Sequence, residues 1–158
     1  MKLSRVDLDG MSNMIRAVLF DKTYTIIYQD PNAMKEADIK VCELLARDGI
    51  RISIEQLSSM RRRYQRLYRR GEIKDWYELV DKMLTELNIN TDKANLIAKI
   101  YRNVHTSMGS LYPGVLETLK SIKAMNVMIG LVTESTTEKV EAELNRGGIK
   151  DFFDVIVI

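Results

Sequence analysis

The hydrophobic period of this chain changes twice along its length, and those changes restrict the fold more than any single residue does. An apolar run with one charge, Ile15-Arg16-Ala17-Val18-Leu19-Phe20, has the length and character of a buried parallel strand. From Asp30 onward the spacing is helical. Asp30-Pro31 reads as an N-cap followed by proline at the first helical position, and Met34, Ala37, Val41, Leu44 and Leu45 recur at helical intervals until Gly49. Ser53 with Gln56 is a capping-box pattern that opens a second helix through Arg70, stopped by Gly71. Trp76, Leu79, Val80, Met83, Leu84 and Leu87 mark a third helix. Ala94, Ile97, Ala98, Tyr101 and Val104 mark a fourth, opening near Thr91. No strand signal separates these four. After Pro113-Gly114 the pattern changes again, to a helix (Val115, Leu116, Leu119, Ile122, Met125) and a strand from Val127 to Val132. Then comes a helix opened by Ser135 with Glu138 in a second capping box, ending at Gly147-Gly148, and a last strand from Asp154 to Ile158.

Strand and helix in alternation imply parallel, right-handed crossover units. The expected fold is therefore α/β: a three-layer, Rossmann-like parallel sheet interrupted after its first strand by an all-helical subdomain. The expected division is an N-terminal extension over 1–14, a core from 15–28 and 110–158, and a helical insert over 29–109. A chain of 158 residues suits one small core with an insert. With 46% apolar and 29% charged residues, composition argues against disorder. A net charge of +2 gives no global reason for nucleic-acid or membrane binding. The single cysteine, Cys42, excludes an internal disulfide framework and suits a reducing cytoplasm. The longest apolar runs are too short to span a bilayer, and no secretion signal is seen, so a cytoplasmic protein without membrane partners is expected.

Ligands of open parallel sheets bind outside the carboxyl ends of the strands. Two polar clusters fall there, Asp21-Lys22-Thr23-Tyr24-Thr25 and Thr133-Glu134-Ser135, and both should face one cleft. A carboxylate in that position is a potential nucleophile toward phosphorus, if a cation screens the anions and donors hold the phosphate oxygens. Asp21 offers the oxygen and Thr133 a hydroxyl. Thr25 and the amides of the loop after Asp21 could add donors. An aspartate at a strand end serves equally often as a turn or cap residue, so these residues alone leave both readings open.

The order of motifs resembles the haloacid dehalogenase superfamily. Ala17-Val18-Leu19-Phe20-Asp21 followed by Thr25 is similar to its motif I, a hydrophobic strand and Asp-x-Asp-Gly-Thr. Met128-Ile129-Gly130-Leu131-Val132-Thr133 is similar to its motif II. The helical insert resembles the cap of the phosphoglycolate-phosphatase-like subgroup, and Leu111-Tyr112-Pro113-Gly114 and Lys150 to Ile156 resemble segments of the returning core. The resemblance implies hydrolysis of a small phosphorylated metabolite through an aspartyl-phosphate, with Mg²⁺ as cofactor. It implies Asp21 and Thr23 as the catalytic positions, Asp21 and the Thr23 carbonyl as metal ligands, and Lys22, Thr25, Thr133 and Glu134 around the substrate phosphate.

Three departures bear on activity. The second motif I aspartate, the general acid and base of phosphatases, falls on Thr23, whose hydroxyl is too weak an acid. The following glycine falls on Tyr24, which implies crowding or a strained backbone. Asp21-Lys22-Thr23 with Thr25 is closer to the phosphorylation loop of P-type ATPases, a likeness confined to that loop. The family's motif III lysine and motif IV acidic residues lie beyond its third strand, whereas this sequence stops at Ile158. The expectation is a truncated chain, weak or inactive as it stands, with its first strand at a sheet edge through which it self-associates.

One cluster falls outside this pattern. Arg61, Arg62, Arg63, Arg66, Arg69 and Arg70 crowd the second cap helix. They are either a solvated face beside Glu72 and Asp75 or a surface for a polyanion, and the latter supports a different reading: a non-catalytic binding or regulatory module working through this helix or the sheet edge. Nucleic acid is not the expected partner. His105, the only histidine, supports neither a multi-histidine metal site nor a histidine triad.

Overall fold

A computed structural model describes residues 15–158, so the expected N-terminal extension lies outside the described residues. In chain order the elements are β1 (Ala17–Asp21), β2 (Ile27–Gln29), α1 (Ala33–Arg47), α2 (Ile54–Arg69), α3 (Trp76–Glu86), α4 (Ala94–Ser107), β3 (Gly109–Leu111), α5 (Val115–Ala124), β4 (Met128–Val132), α6 (Thr137–Arg146) and β5 (Val155–Val157). Short 3₁₀ turns at Thr91–Lys93 and Lys150–Phe152 lead into α4 and toward β5. Among the described residues no helix is long and apolar enough to cross a membrane.

The chain forms two compact units. The first comprises residues up to Ile27 and Leu111–Ile158. Its sheet is parallel with strand order β1-β4-β5, and the register sets Leu19 beside Gly130 and Asp21 beside Val132. Both crossovers, through α5 and through α6, advance in the same direction, so right-handedness puts both helices on one face. That face holds the core: Val18 and Phe20 of β1, Ile129 and Leu131 of β4 and Ile156 of β5 pack with Leu119, Ile122, Val140 and Leu144 from the two helices. The opposite face is uncovered among the described residues. Leu19 is 69% exposed there, in company with Met128, Val132, Val155 and Val157. The first strand therefore alternates between core and solvent, where its sequence suggested burial on both sides, and it occupies the edge of the sheet.

The second unit, Tyr28–Ser110, contains the four successive helices. Their apolar stripes meet in one core that includes Val41, Leu45, Leu57, Leu79, Leu84, Ile97 and Tyr101. Full burial of such aliphatic side chains contributes about 1.5–3 kcal/mol each. Inside this core Asp38 is wholly buried and fully engaged. Its Oδ1 accepts from Arg61 Nε at 2.8 Å and from the Tyr101 hydroxyl at 2.8 Å, while Oδ2 accepts from Arg61 Nη2 at 2.8 Å and from the Ser58 hydroxyl. The Tyr101 phenol is pushed well above its ordinary value, first by burial and then by the adjacent Asp38 carboxylate.

Helix ends show where local sequence rules hold and where they shift. The Ser53–Gln56 capping box has both halves: Gln56 N–H donates to Ser53 Oγ and Ser53 N–H to Gln56 Oε1, each at 3.1 Å. At α1 the start moves two residues later than Asp30-Pro31 suggests. Asp30 Oδ1 accepts from Asn32 N–H at 2.7 Å, closing a turn of its own, and Asn32 becomes the N-cap. At α6 the cap is Thr136, accepting from Lys139 N–H, and the Ser135 hydroxyl accepts from Lys22 Nζ at 3.4 Å. The strands β2 and β3, which pair with each other, carry no signal in the sequence because each is three residues long.

Candidate functional site

β1 ends on Asp21, and the loop that follows is folded tightly on itself. Lys22 C=O accepts from both Ile26 N–H (3.0 Å) and Ile27 N–H (2.9 Å), and Tyr24 N–H donates to Ile27 C=O at 2.9 Å. Three loop amides are thus used internally, which narrows the set of backbone donors the sequence suggested for an anion. Tyr24 adopts φ 63°, the left-handed region that a tyrosine enters only with strain, and its ring is exposed. Thr25 Oγ1 donates to Asp21 Oδ2 at 3.2 Å, so this hydroxyl fixes one carboxylate oxygen.

The neighbouring residue goes the other way. Lys22 is 0% exposed and its ammonium is ion-paired with Glu143 of α6, itself 1% exposed. Lys139 approaches the other Glu143 oxygen at 3.7 Å. Its ammonium is lowered in pKa chiefly by burial, with Lys22 adding to the effect and Glu143 opposing it. Sequence reasoning assigned Lys22 to the substrate phosphate, whereas the structure places it beneath the loop, occupied by Glu143. Alternation along the backbone is the reason: with Asp21 on the open side, the next side chain turns toward α6. Glu143 was missed in the sequence, though a signal existed. It stands three residues after Val140 and one before Leu144, on the stripe that packs into the core.

Thr133 lies one residue past β4. Its N–H donates to Val157 C=O at 3.0 Å, and the residue is buried. Asp21, Thr23, Thr133 and Glu134 line one concavity of about 620 Å³, with Leu19, Val132 and Val157 supplying apolar walls. Lys22 and Thr25 are not among the lining residues; Thr25 reaches the site through its hydrogen bond to Asp21. The strand-end clusters from distant parts of the sequence are therefore brought together, two carboxylates and two hydroxyls around a single space.

An anion entering this space meets Asp21 and Glu134, and among the described residues no cationic side chain lines it, so a bound cation would balance the charge. The donor set is all oxygen, the type that suits Mg²⁺, which usually takes one or two carboxylates and completes its shell with water and substrate phosphate. Among the described residues no cluster of three metal-ligating side chains occurs.

Comparison with known proteins agrees with this architecture. The pattern of the haloacid dehalogenase-like hydrolases matches residues 29–158, beginning just after the loop that carries Asp21. The chain is 26% identical over 144 residues to a glyceraldehyde 3-phosphate phosphatase of Methanocaldococcus jannaschii, covering 91% of this chain and 62% of that protein. It spans about three fifths of that relative's length. A Thermotoga maritima structure assigned as a β-phosphoglucomutase superposes with a TM-score of 0.65 at 21% identity, covering 90% of this chain and 60% of that one. A Bacillus subtilis hydrolase described as bound to magnesium superposes with a TM-score of 0.57 at 19% identity, covering 89% and 62%. At these identities the two structures speak to the fold.

Proposed function

The chain belongs to the haloacid dehalogenase-like hydrolases, and from that premise we propose that it carries the nucleophile-bearing part of a phosphohydrolase acting on a small phosphorylated metabolite. The observation that carries this reading is the shared concavity at the carboxyl ends of β1 and β4, which Asp21 and Thr133 both line. An Asp21 oxygen attacks phosphorus, the bond from phosphorus to the substrate oxygen breaks, and an aspartyl-phosphate results. Thr133 donates its hydroxyl to a phosphate oxygen. Thr25, donating to the other Asp21 oxygen, holds the carboxylate in its orientation. Mg²⁺, held by Asp21 and the Thr23 carbonyl, supplies charge neutralisation when bound.

Water must then attack the aspartyl-phosphate, and this step needs a base. Thr23 occupies the position where a carboxylate would serve, and a neutral hydroxyl contributes little at pH 7. The intermediate should form readily from a phosphoryl donor with a good leaving group and hydrolyse slowly. The test is to incubate the chain with acetyl phosphate and Mg²⁺, then follow covalent phosphorylation by intact-mass spectrometry alongside phosphate release. Phosphorylation abolished by Asp21→Asn is expected. Equal phosphate release by wild type and Asp21→Asn defeats the proposal. Glyceraldehyde 3-phosphate, for which the M. jannaschii relative is named, is the first compound to assay.

A further inference from the structure

The helical unit sorts the five arginines of α2, together with Arg70 at its C-cap, into two sets. Arg61 is held by Asp38, Arg63 makes two hydrogen bonds to Glu86 at 2.7 and 2.6 Å, and Arg70 lies 3.8 Å from Glu72. Arg62, Arg66 and Arg69 make no ion pair among the described residues, and all three line one cleft of about 650 Å³ with Lys35 of α1. Four cations there face a single uncompensated carboxylate, Glu55.

This arrangement is unfavourable without a counter-charge, because arginines at i and i+4 repel one another along a helix. The floor is also ordered in advance. Arg61 is clamped by Asp38 through Nε and Nη2 and donates through Nη1 to Gln65 Oε1 at 2.8 Å, so the base of the cleft is fixed while the exposed Arg62, Arg66 and Arg69 adjust to a ligand. The positions i, i+4 and i+7 span about 10 Å of helix, and each guanidinium presents a fork that matches a phosphate in bidentate fashion. Among the described residues no aromatic side chain lines the cleft, so they offer no stacking platform of the kind on which single-stranded nucleic acids rest.

We propose that this cleft binds a small molecule bearing two or more phosphate groups, with Arg62, Arg66, Arg69 and Lys35 as its ligands. No residue that lines this cleft lines the Asp21 concavity, and its ligand need not be the metabolite hydrolysed there.

The probe is sodium tripolyphosphate, titrated calorimetrically into the full chain at physiological ionic strength. One site per chain is expected, with orthophosphate at least tenfold weaker. R62Q/R66Q/R69Q should weaken tripolyphosphate binding at least tenfold and K35Q by a smaller factor, and circular dichroism should show both variants folded. Asp21→Asn should bind as wild type does, which separates this inference from the phosphohydrolase reading. Unchanged affinity in both R62Q/R66Q/R69Q and K35Q overturns the proposal. So does orthophosphate binding as tightly, loss of binding in Asp21→Asn, or a short RNA binding more tightly than tripolyphosphate.

Discussion

Replacing Glu143 by glutamine removes the charge that faces Lys22 while keeping the side-chain shape. Lys22 and Glu143 are both essentially inaccessible to solvent, so the orphaned ammonium cannot simply hydrate in place. Removing one partner of a buried ion pair costs about 3–5 kcal/mol. The upper part of that range is appropriate, because Glu143 also balances Lys139. In a chain of this size each kcal/mol moves the melting temperature by roughly 2–4 °C, so at about 4–5 kcal/mol Glu143→Gln should melt about 8–20 °C below wild type. Lys22→Met should cost less, since Glu143 retains Lys139. Lys22→Met combined with Glu143→Leu should recover most of the loss, because apolar replacement of a whole buried pair is often close to neutral. Thermal unfolding by circular dichroism, arranged as a double-mutant cycle, measures all three. If Glu143→Gln melts within about 2 °C of wild type, the ammonium is not buried as described. A Lys22→Met variant of unchanged stability that weakens substrate binding would restore the role first read from the sequence, a direct contact with phosphate.

Three further outcomes follow from the same structure. The Asp154 carboxyl is held below its ordinary value first by Lys123 (2.6 Å) and then by Ile129 N–H (2.7 Å). A depressed folded-state pKa stabilises above the unfolded value, near 3.9, and that contribution is lost as pH falls through the folded one. Asp154→Asn should therefore melt below wild type at pH 7, with the difference closing below about pH 4, as a pH series of melts will show. Thr23→Asp supplies the missing acid and base, and should speed phosphate release from the phosphorylated chain by about 10²–10⁴-fold in a single-turnover assay; no acceleration would count against the assigned role of position 23. The apolar sheet face and β1 edge left uncovered among the described residues should drive self-association of this chain, and Leu19→Lys with Val155→Lys should shift the species seen by light scattering toward monomer.

The sequence by itself determined what depends on neighbours a few residues apart. Helical and strand periodicity located four cap helices and the strands ending near Asp21 and Val132, and the Ser53–Gln56 box formed both of its hydrogen bonds. The strand-end rule pointed two clusters, Asp21 to Thr25 and Thr133 to Ser135, at one space; Asp21, Thr23, Thr133 and Glu134 line it, whereas Lys22, Tyr24, Thr25 and Ser135 do not. The tertiary structure alone decided questions of partnership across long separations. Lys22 meets a glutamate 121 residues away, and Ser135 accepts from that same lysine while Thr136 takes over the helix cap. Arg61 and Arg63 each find a carboxylate 23 residues distant, whereas Arg62 and Arg66 on the same helix face an open cleft. Backbone conformation and capping are settled within about one helical turn and so leave a local trace. Whether a charge is neutralised, buried or left facing solvent depends on which distant segment packs against it, and that information exists only once the chain has folded.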